Sequence, residues 1–192
     1  NVRYPGWEYS RDPITLDRLA QAQALEPGLD RKEWQRRQVN KLVGRLHSAI
    51  QRVKPGLPLS AAVWPVYLET WEWWSAGDGY DGFSQDSVGW VGNGIADLIC
   101  PMFYLASIIV DDAQYQALLD DFVTRAGGRH VAAGITAAYD DFAQLARRID
   151  LARTAGAAGQ AIFSYGELQQ RGYWDELAGG PYATPARPLL PR

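Results

Sequence analysis

The chain of 192 residues is 47% hydrophobic and 21% charged, and its formal net charge is -3. These values describe a globular domain with enough apolar side chains to bury a core. The slight acidity argues against a nucleic-acid partner, which requires a basic surface. No apolar run approaches the roughly 20 residues that a membrane-spanning helix needs. We therefore expect neither a nucleic-acid partner nor a membrane partner.

The single cysteine, Cys100, excludes an internal disulfide and a cysteine-based zinc cluster. The two histidines, His47 and His130, have no matched set of carboxylates, so we predict neither a metal site nor a cofactor. The chain holds eight Trp and ten Tyr. Sugar-binding clefts use such rings as flat platforms, but cores and interfaces use them as well, so composition alone assigns no function.

The first part of the chain predicts a strand end, a loop, a helix and a second strand. Residues 1–5 have the pattern of a strand that began upstream, and a Gly/Pro/Asp-rich loop follows through Asp30. Apolar residues recur at helical spacing from Arg31 to Val53, with Asp30 as the N-cap and Lys54-Pro55-Gly56 as the stop. Leu57 to Trp64 then predicts a buried strand, followed by a long aromatic loop.

The rest of the chain alternates strands and helices. Strands are predicted over 98–104, 130–135 and 159–165, and helices over 86–91, 112–125, 139–155 and 167–177. The Pro-rich residues 181–192 predict an extended or disordered tail after a domain that covers residues 1–180.

Five strands without polar alternation, separated by helices, indicate an α/β fold with a parallel sheet covered on its faces. A five-stranded doubly wound domain and part of an eight-stranded barrel both fit. The barrel is favoured because no Gly-rich strand-to-helix turn is present and because the strands end in aromatic residues, namely Tyr4, Trp64, Tyr104 and Tyr165. We predict a partial (β/α)₈ TIM barrel, strands four to eight, with these residues on the rim that carries active sites.

Several segments resemble a known family when taken in order. Val2-Arg3-Tyr4-Pro5 is similar to the end of the strand-four motif of bacterial glycosyl-hydrolase-like barrel proteins, the family-10-like glycosylhydrolases. Further similar segments are Trp34-Gln35-Arg36-Arg37, Val53-Lys54-Pro55, Gln85-Asp86, Gly89-Trp90, Gly94-Ile95-Ala96-Asp97 and Pro101-Met102-Phe103-Tyr104. The resemblance runs from residue 1 to about residue 177.

The resemblance implies a protein that acts on a polysaccharide by carboxylate acid/base hydrolysis, secreted by a bacterium or held in its cell envelope. The aspartate of the family motif would lie just before Asn1, so the resemblance also implies that this polypeptide alone is inactive. A partial barrel exposes sheet edges that invite pairing with another chain. We therefore expect self-association through these edges, with two copies completing a barrel-like assembly.

Glycoside hydrolysis generally needs two carboxyl groups on either side of the scissile bond. Glu167 directly follows the last predicted strand, and Asp86 begins a short helix, so we predict both as catalytic residues. Each has a structural alternative. Glu167 would be favoured by the helix dipole in a first turn, and Asp86 would be an N-cap.

The predicted substrate-binding residues are mainly aromatic. Trp64, Tyr104 and Tyr165 would stack on sugar rings, or alternatively pack at the barrel mouth. Trp71 belongs to an aromatic cluster over residues 71–74 that would cover the cleft. Two further candidates, Arg3 and Tyr4, lie at the end of the first strand; Arg3 could hold a carboxylate or a sugar hydroxyl, or form a structural ion pair.

Two other functions stay open at this point. A non-catalytic carbohydrate-binding barrel would bind the same ligands through its aromatic residues without cleaving them. A self-contained α/β interaction module would be a monomer with five paired strands.

Overall fold

The structure, a computed structural model, describes residues 2–73, 77–104, 111–127 and 130–186. The helices are α1 (Pro13–Leu25), α2 (Arg31–Val53), α3 (Gly79–Gly82), α4 (Ser87–Gly92), α5 (Asp112–Arg125), α6 (Phe142–Thr154), α7 (Tyr165–Arg171) and α8 (Trp174–Gly179). The strands are β1 (Ser60–Val63), β2 (Leu98–Phe103), β3 (Ala132–Thr136) and β4 (Gly159–Phe163). The predictions for Trp74 and for residues 187–192 of the tail lie outside the described residues.

The strands form one parallel sheet in the order β1-β2-β3-β4. Helices alternate with these strands along the chain, which confirms the predicted α/β fold. The arrangement is consistent with part of a barrel. No helix in the described ranges is long and apolar enough to cross a membrane.

One face of the sheet is covered by helices. The Phe103 ring contacts Tyr115 and Phe122 of α5, with ring centroids 5.5 and 5.9 Å apart. Since side chains alternate along a strand, Met102 and Tyr104 belong to the opposite face, which we call the inner face. The burial agrees with this division, because Phe103 is 1% exposed whereas Met102 is only half-buried.

The first predicted strand is not present, since residues 2–4 form no strand. A buried glutamine, Gln85, connects this segment to the sheet instead. Its side-chain amide N–H donates to the Val2 carbonyl at 3.1 Å, and its side-chain oxygen accepts from the Trp64 backbone N–H at 2.6 Å. The Tyr4 backbone N–H donates to the Phe83 carbonyl at 3.1 Å. The Gln85 side chain therefore makes the hydrogen bonds to this segment that were predicted to come from the backbone of a neighbouring strand.

The loop predicted before Asp30 is also wrong, because it contains helix α1. The Asp12 side chain caps this helix by accepting from the Thr15 N–H at 2.9 Å. Pro13 fits the first turn, where a missing N–H costs nothing. Leu19 packs with Leu29 and with Trp34 of α2 in a small separate core.

The long helices follow the sequence pattern closely. Helices α2 and α5 begin and end at the predicted residues. The helix predicted over 167–177 is divided into α7 and α8, because Gly172 adopts a left-handed conformation with φ 72° that ends α7. In the described part of the predicted tail, the Tyr182 hydroxyl donates to the Gln160 side chain at 3.3 Å, and the Arg153 guanidinium lies 5.6 Å from the Tyr182 ring centroid.

The close approach of β2 and β3 requires glycine at position 134. A Cβ at Gly134 would overlap the backbone carbonyl oxygen of Pro101. We expect Gly134→Ala to lower the free energy of unfolding by about 1–3 kcal/mol, the usual cost of overpacking. Urea denaturation followed by circular dichroism measures the change.

The matched control is Gly92→Ala, where a Cβ would meet nothing within 4 Å at the end of α4. This variant should be neutral or slightly more stable than wild type. An equal loss of stability in both variants would contradict the proposed backbone clash.

Candidate functional site

The C-terminal ends of parallel strands lie on one edge of the sheet, which we call the rim. Trp64 follows β1, Tyr104 follows β2, Ala137 follows β3 and Ser164 follows β4. The register pairs Val63 with Pro101, so Trp64 lies on the inner face with Met102 and Tyr104. The rim therefore places aromatic side chains on the face that the helices do not cover.

A stacked aromatic pair lies on the inner face at the rim. The Tyr104 and Phe163 rings are 4.8 Å apart with an interplanar angle of 13°. Phe163 is 56% exposed, while Tyr104 is half-buried and burial raises the pKa of its hydroxyl. The two residues come from β2 and β4, so they meet above the intervening strand β3. This arrangement forms a flat aromatic surface that is open to solvent.

A second aromatic pair lies beyond the end of β4. Tyr165 was predicted as a strand end but begins α7, where its ring is 5.4 Å from Trp174 of α8. Tyr165 is 71% exposed and Trp174 is 40% exposed. The neighbouring ring of Tyr165 is therefore Trp174, a residue that was not predicted from the sequence to belong to the site.

Trp64 is partly covered by the N-terminal segment. The Arg3 guanidinium lies 5.0 Å from the Trp64 ring centroid and 4.6 Å from that of Phe83. The Trp64 indole N–H donates to the Gly77 carbonyl at 3.2 Å. Burial lowers the pKa of Arg3, and Arg3 forms no ion pair with the residues the structure describes. Its guanidinium therefore keeps donors for a ligand beside an aromatic ring.

The other two predicted binding residues lie elsewhere. Tyr4 lines a groove against α2 together with Val39 and Leu42. In the loop after β1, Trp71 stacks on Trp73 with ring centroids 5.0 Å apart. The structure therefore brings Arg3 and Trp64 together at the rim but places Tyr4 beside a helix.

Asp86 has a defined structural role. Its Oδ1 atom accepts from the Gly89 N–H at 3.0 Å, which caps α4, and from the Tyr67 hydroxyl at 2.9 Å. The Asn40 side chain of α2 donates to Oδ2 at 3.4 Å. A Cβ at Gly89 would overlap the Asp86 carboxylate, so a larger residue there would displace this cap. Asp86 thus joins α2, α4 and the loop after β1, and its catalytic role stays a prediction.

Glu167 lies in the first turn of α7, where its backbone N–H donates to the Ser164 hydroxyl at 3.4 Å. The nearby Arg171 forms an ion pair with Asp140 at 2.6 Å, and it donates to the Ala138 carbonyl at 3.0 Å. Asp140, and to a smaller extent Glu167, raises the pKa of Arg171. Asp140 in the loop after β3 and Glu167 in the first turn of α7 therefore both favour the charged form of Arg171, and Asp140 was not predicted.

A family model described as glycosyl hydrolase-like 10 matches residues 8–134, about two thirds of the chain. The chain belongs to the glycosyl hydrolase-like 10 family. This finding confirms the family resemblance that the sequence motifs indicated. Comparison with curated proteins finds no match.

The glycosyl hydrolase-like 10 match divides the candidate residues into two groups. Trp64, Trp71, Asp86 and Tyr104 lie inside the matched segment, whereas Arg3, Tyr4, Tyr165 and Glu167 lie outside it. Phe163, which stacks on Tyr104, also lies outside. The open aromatic surface therefore combines one residue from the matched segment with one from beyond it.

The two predicted catalytic carboxylates follow the two outermost strands of the described sheet. Asp86 lies in the connection between β1 and β2, and Glu167 lies in α7 after β4. Carboxyl pairs in glycosidases are about 5–9.5 Å apart. Asp140 and Glu167 follow adjacent strands. Among the described residues, no group of three or more His, Cys, Asp or Glu side chains could hold a metal ion.

The Tyr67–Asp86 hydrogen bond predicts a pH dependence of stability. Burial and the Asp86 charge raise the pKa of Tyr67 above its ordinary value of about 10. The stabilisation by the neutral hydroxyl is complete below pH 10, and it is lost as pH rises toward the folded pKa. The free energy of unfolding should therefore fall more steeply above pH 10 in wild type than in Tyr67→Phe. The difference in slope should reach about 1.4 kcal/mol per pH unit.

Urea denaturation between pH 7 and pH 11 measures this difference. At pH 7 Tyr67→Phe should be less stable by about 1 kcal/mol, because Asp86 loses a donor. Tyr165→Phe removes an exposed hydroxyl and should retain the wild-type slope. If the free energy of unfolding changed with pH in the same way in wild type and Tyr67→Phe, the stabilising role assigned to the Tyr67 hydroxyl would be contradicted.

Proposed function

We propose that this glycosyl hydrolase-like 10 protein hydrolyses a polysaccharide whose sugar rings stack on the Tyr104–Phe163 pair. The observation that carries the proposal is this stacked, solvent-open pair at the C-terminal ends of parallel strands. Aromatic faces can cover the apolar face of a sugar ring, and active sites of barrel enzymes lie at such strand ends. A fold alone assigns no function, so family membership is the second support.

The proposed roles follow from position. Glu167, four residues after Phe163, is the proposed general acid, and Arg3 beside Trp64 donates to sugar hydroxyls or a sugar carboxylate. Asp86 was predicted as the second carboxylate, but three donors already engage it. Asp140 is the alternative second carboxylate. It is exposed, and it follows β3, which pairs with the strand that precedes Glu167.

We further propose that β1–β4 are the last four of the strands four to eight predicted for a (β/α)₈ barrel, and that the chain is inactive without the other strands. Within the described residues, β1 and β4 each pair on one side only, and the inner face is partly open. Such edges support self-association with a second copy, which light scattering would detect. A polysaccharide substrate favours a secreted or cell-envelope protein.

A non-catalytic carbohydrate-binding barrel is the second candidate function. The engagement of Asp86 as a helix cap favours it, because the predicted carboxylate pair is then incomplete. This candidate predicts the same ligands without cleavage.

Removing the exposed ring should weaken glycan binding. We expect Phe163→Ala to bind a polysaccharide about two- to tenfold more weakly than wild type, since one aromatic stacking contact is worth about 0.5–1.5 kcal/mol. Affinity electrophoresis against a panel of polysaccharides gives the comparison. Trp7→Ala removes another ring, 50% exposed and far along the chain, and should leave binding unchanged. Unchanged binding by Phe163→Ala would refute the aromatic platform.

Changing the proposed acid should separate binding from cleavage. In the polypeptide that carries all eight strands, Glu167→Gln should reduce hydrolysis by about 10²–10⁴-fold and leave glycan binding intact, as expected for loss of a general acid. Reducing-sugar release and binding are measured on the same sample. Gln169→Glu, a change of opposite charge in the same helix, serves as the control. Binding without any cleavage by the wild-type protein would instead establish the carbohydrate-binding alternative.

A further inference from the structure

Helix α2 carries an exposed apolar stripe in addition to the side that packs against the protein. Leu42 and Leu46 are 46% and 42% exposed, and Val53 is 87% exposed. Together with Ala49 these residues are spaced by four, three and four positions. Val43, by contrast, is 3% exposed in the core. Alternating spacings of four and three residues are typical of a seam between two packed helices.

The surface beside the stripe is grooved. One groove is lined by Leu42, Leu46, Ala49 and Ile95, and a second groove passes between Leu42 and Tyr4. Leu42 therefore forms a ridge between two depressions. Side chains of an opposing helix pack into depressions of this kind.

Basic side chains flank the stripe. Arg45 and Arg52 are seven residues apart, so both occupy the same position beside the seam, and both line the first groove with Lys41. In the described part of the chain, the side chains of these three residues form no ion pair or hydrogen bond. Arg36 and Arg37 of the same helix are already paired with carboxylates. The cations left for a partner are therefore concentrated beside the apolar stripe.

We propose that this stripe is a docking site for an amphipathic helix of another protein whose apolar seam is flanked by carboxylates. Carboxylates at the matching positions would pair with Arg45 and Arg52, as flanking charges do in coiled coils. A second copy of α2 is a poor occupant, because symmetric antiparallel packing would place Arg45 of one copy against Arg52 of the other. The stripe and the cations beside it lie in α2 and include no residue of the proposed sugar-binding surface, although the second groove also borders Arg3, so the peptide test is independent of the proposed function.

Two synthetic helical peptides of about three heptads test the proposal. They share one leucine seam and differ only in the flanking residues, which are Glu in one peptide and Lys in the other. Fluorescence anisotropy with the full chain should show the Glu peptide binding at least about tenfold more tightly than the Lys peptide. The Arg45→Glu/Arg52→Glu double variant should reverse this preference.

The matched control is Arg147→Glu/Arg153→Glu, which makes the same change in net charge on exposed residues of α6. It should retain the wild-type preference for the Glu peptide. Circular dichroism confirms that each variant is folded before binding is measured.

Three results would overturn the proposal. The first is equal binding of both peptides, or of neither, by the wild-type chain. The second is binding to anionic phosphatidylserine vesicles without binding to the Glu peptide. The third is a wild-type dimer that Leu46→Glu dissociates, because a second copy would then occupy the stripe.

Discussion

The buried Gln85 and the half-buried Asp86 hold the layers of this protein together. Gln85 connects the N-terminal segment to the end of β1, and Asp86 connects α2, α4 and the loop after β1. A buried polar group that loses its hydrogen-bond partner lowers the free energy of unfolding by about 1–3 kcal/mol. Each of these contacts therefore helps to keep the others in place. The position of Trp64 at the rim, and of Arg3 above it, depends on this arrangement.

Local sequence signals were sufficient where a helix buries a continuous apolar side. Helices α2 and α5 were predicted to the residue because an aspartate caps each one and apolar residues recur along it. The sequence does not predict helix α1, because this helix buries only Leu19, which leaves little periodicity, and because Pro13 among Gly, Pro and Asp residues is typical of a loop. The first strand was predicted from its residues alone, and no local signal shows that the Gln85 side chain replaces strand pairing.

The candidate site was predictable only in part, because its contacts depend on register between strands. Tyr104 was expected at a strand end, but its stacking on Phe163 crosses β3 and follows from how three strands align. Phe163 could have been found by alternation, since it is two residues before Tyr165 in a predicted strand. The ion pair of Asp140 with Arg171 joins the loop after β3 to the end of α7 and has no local signature.

The charge on α2 affects the whole molecule. This helix has seven basic side chains and one acidic side chain, a formal charge of +6 in a chain whose total is -3, so the remainder carries -9. Asp81 and Glu26 neutralise Arg36 and Arg37 locally, so the positive potential of α2 is concentrated at Lys41, Arg45 and Arg52. In dilute salt this potential speeds encounters between α2 and anionic surfaces. At 0.1 M salt the Debye length of about 10 Å confines the effect to near contact.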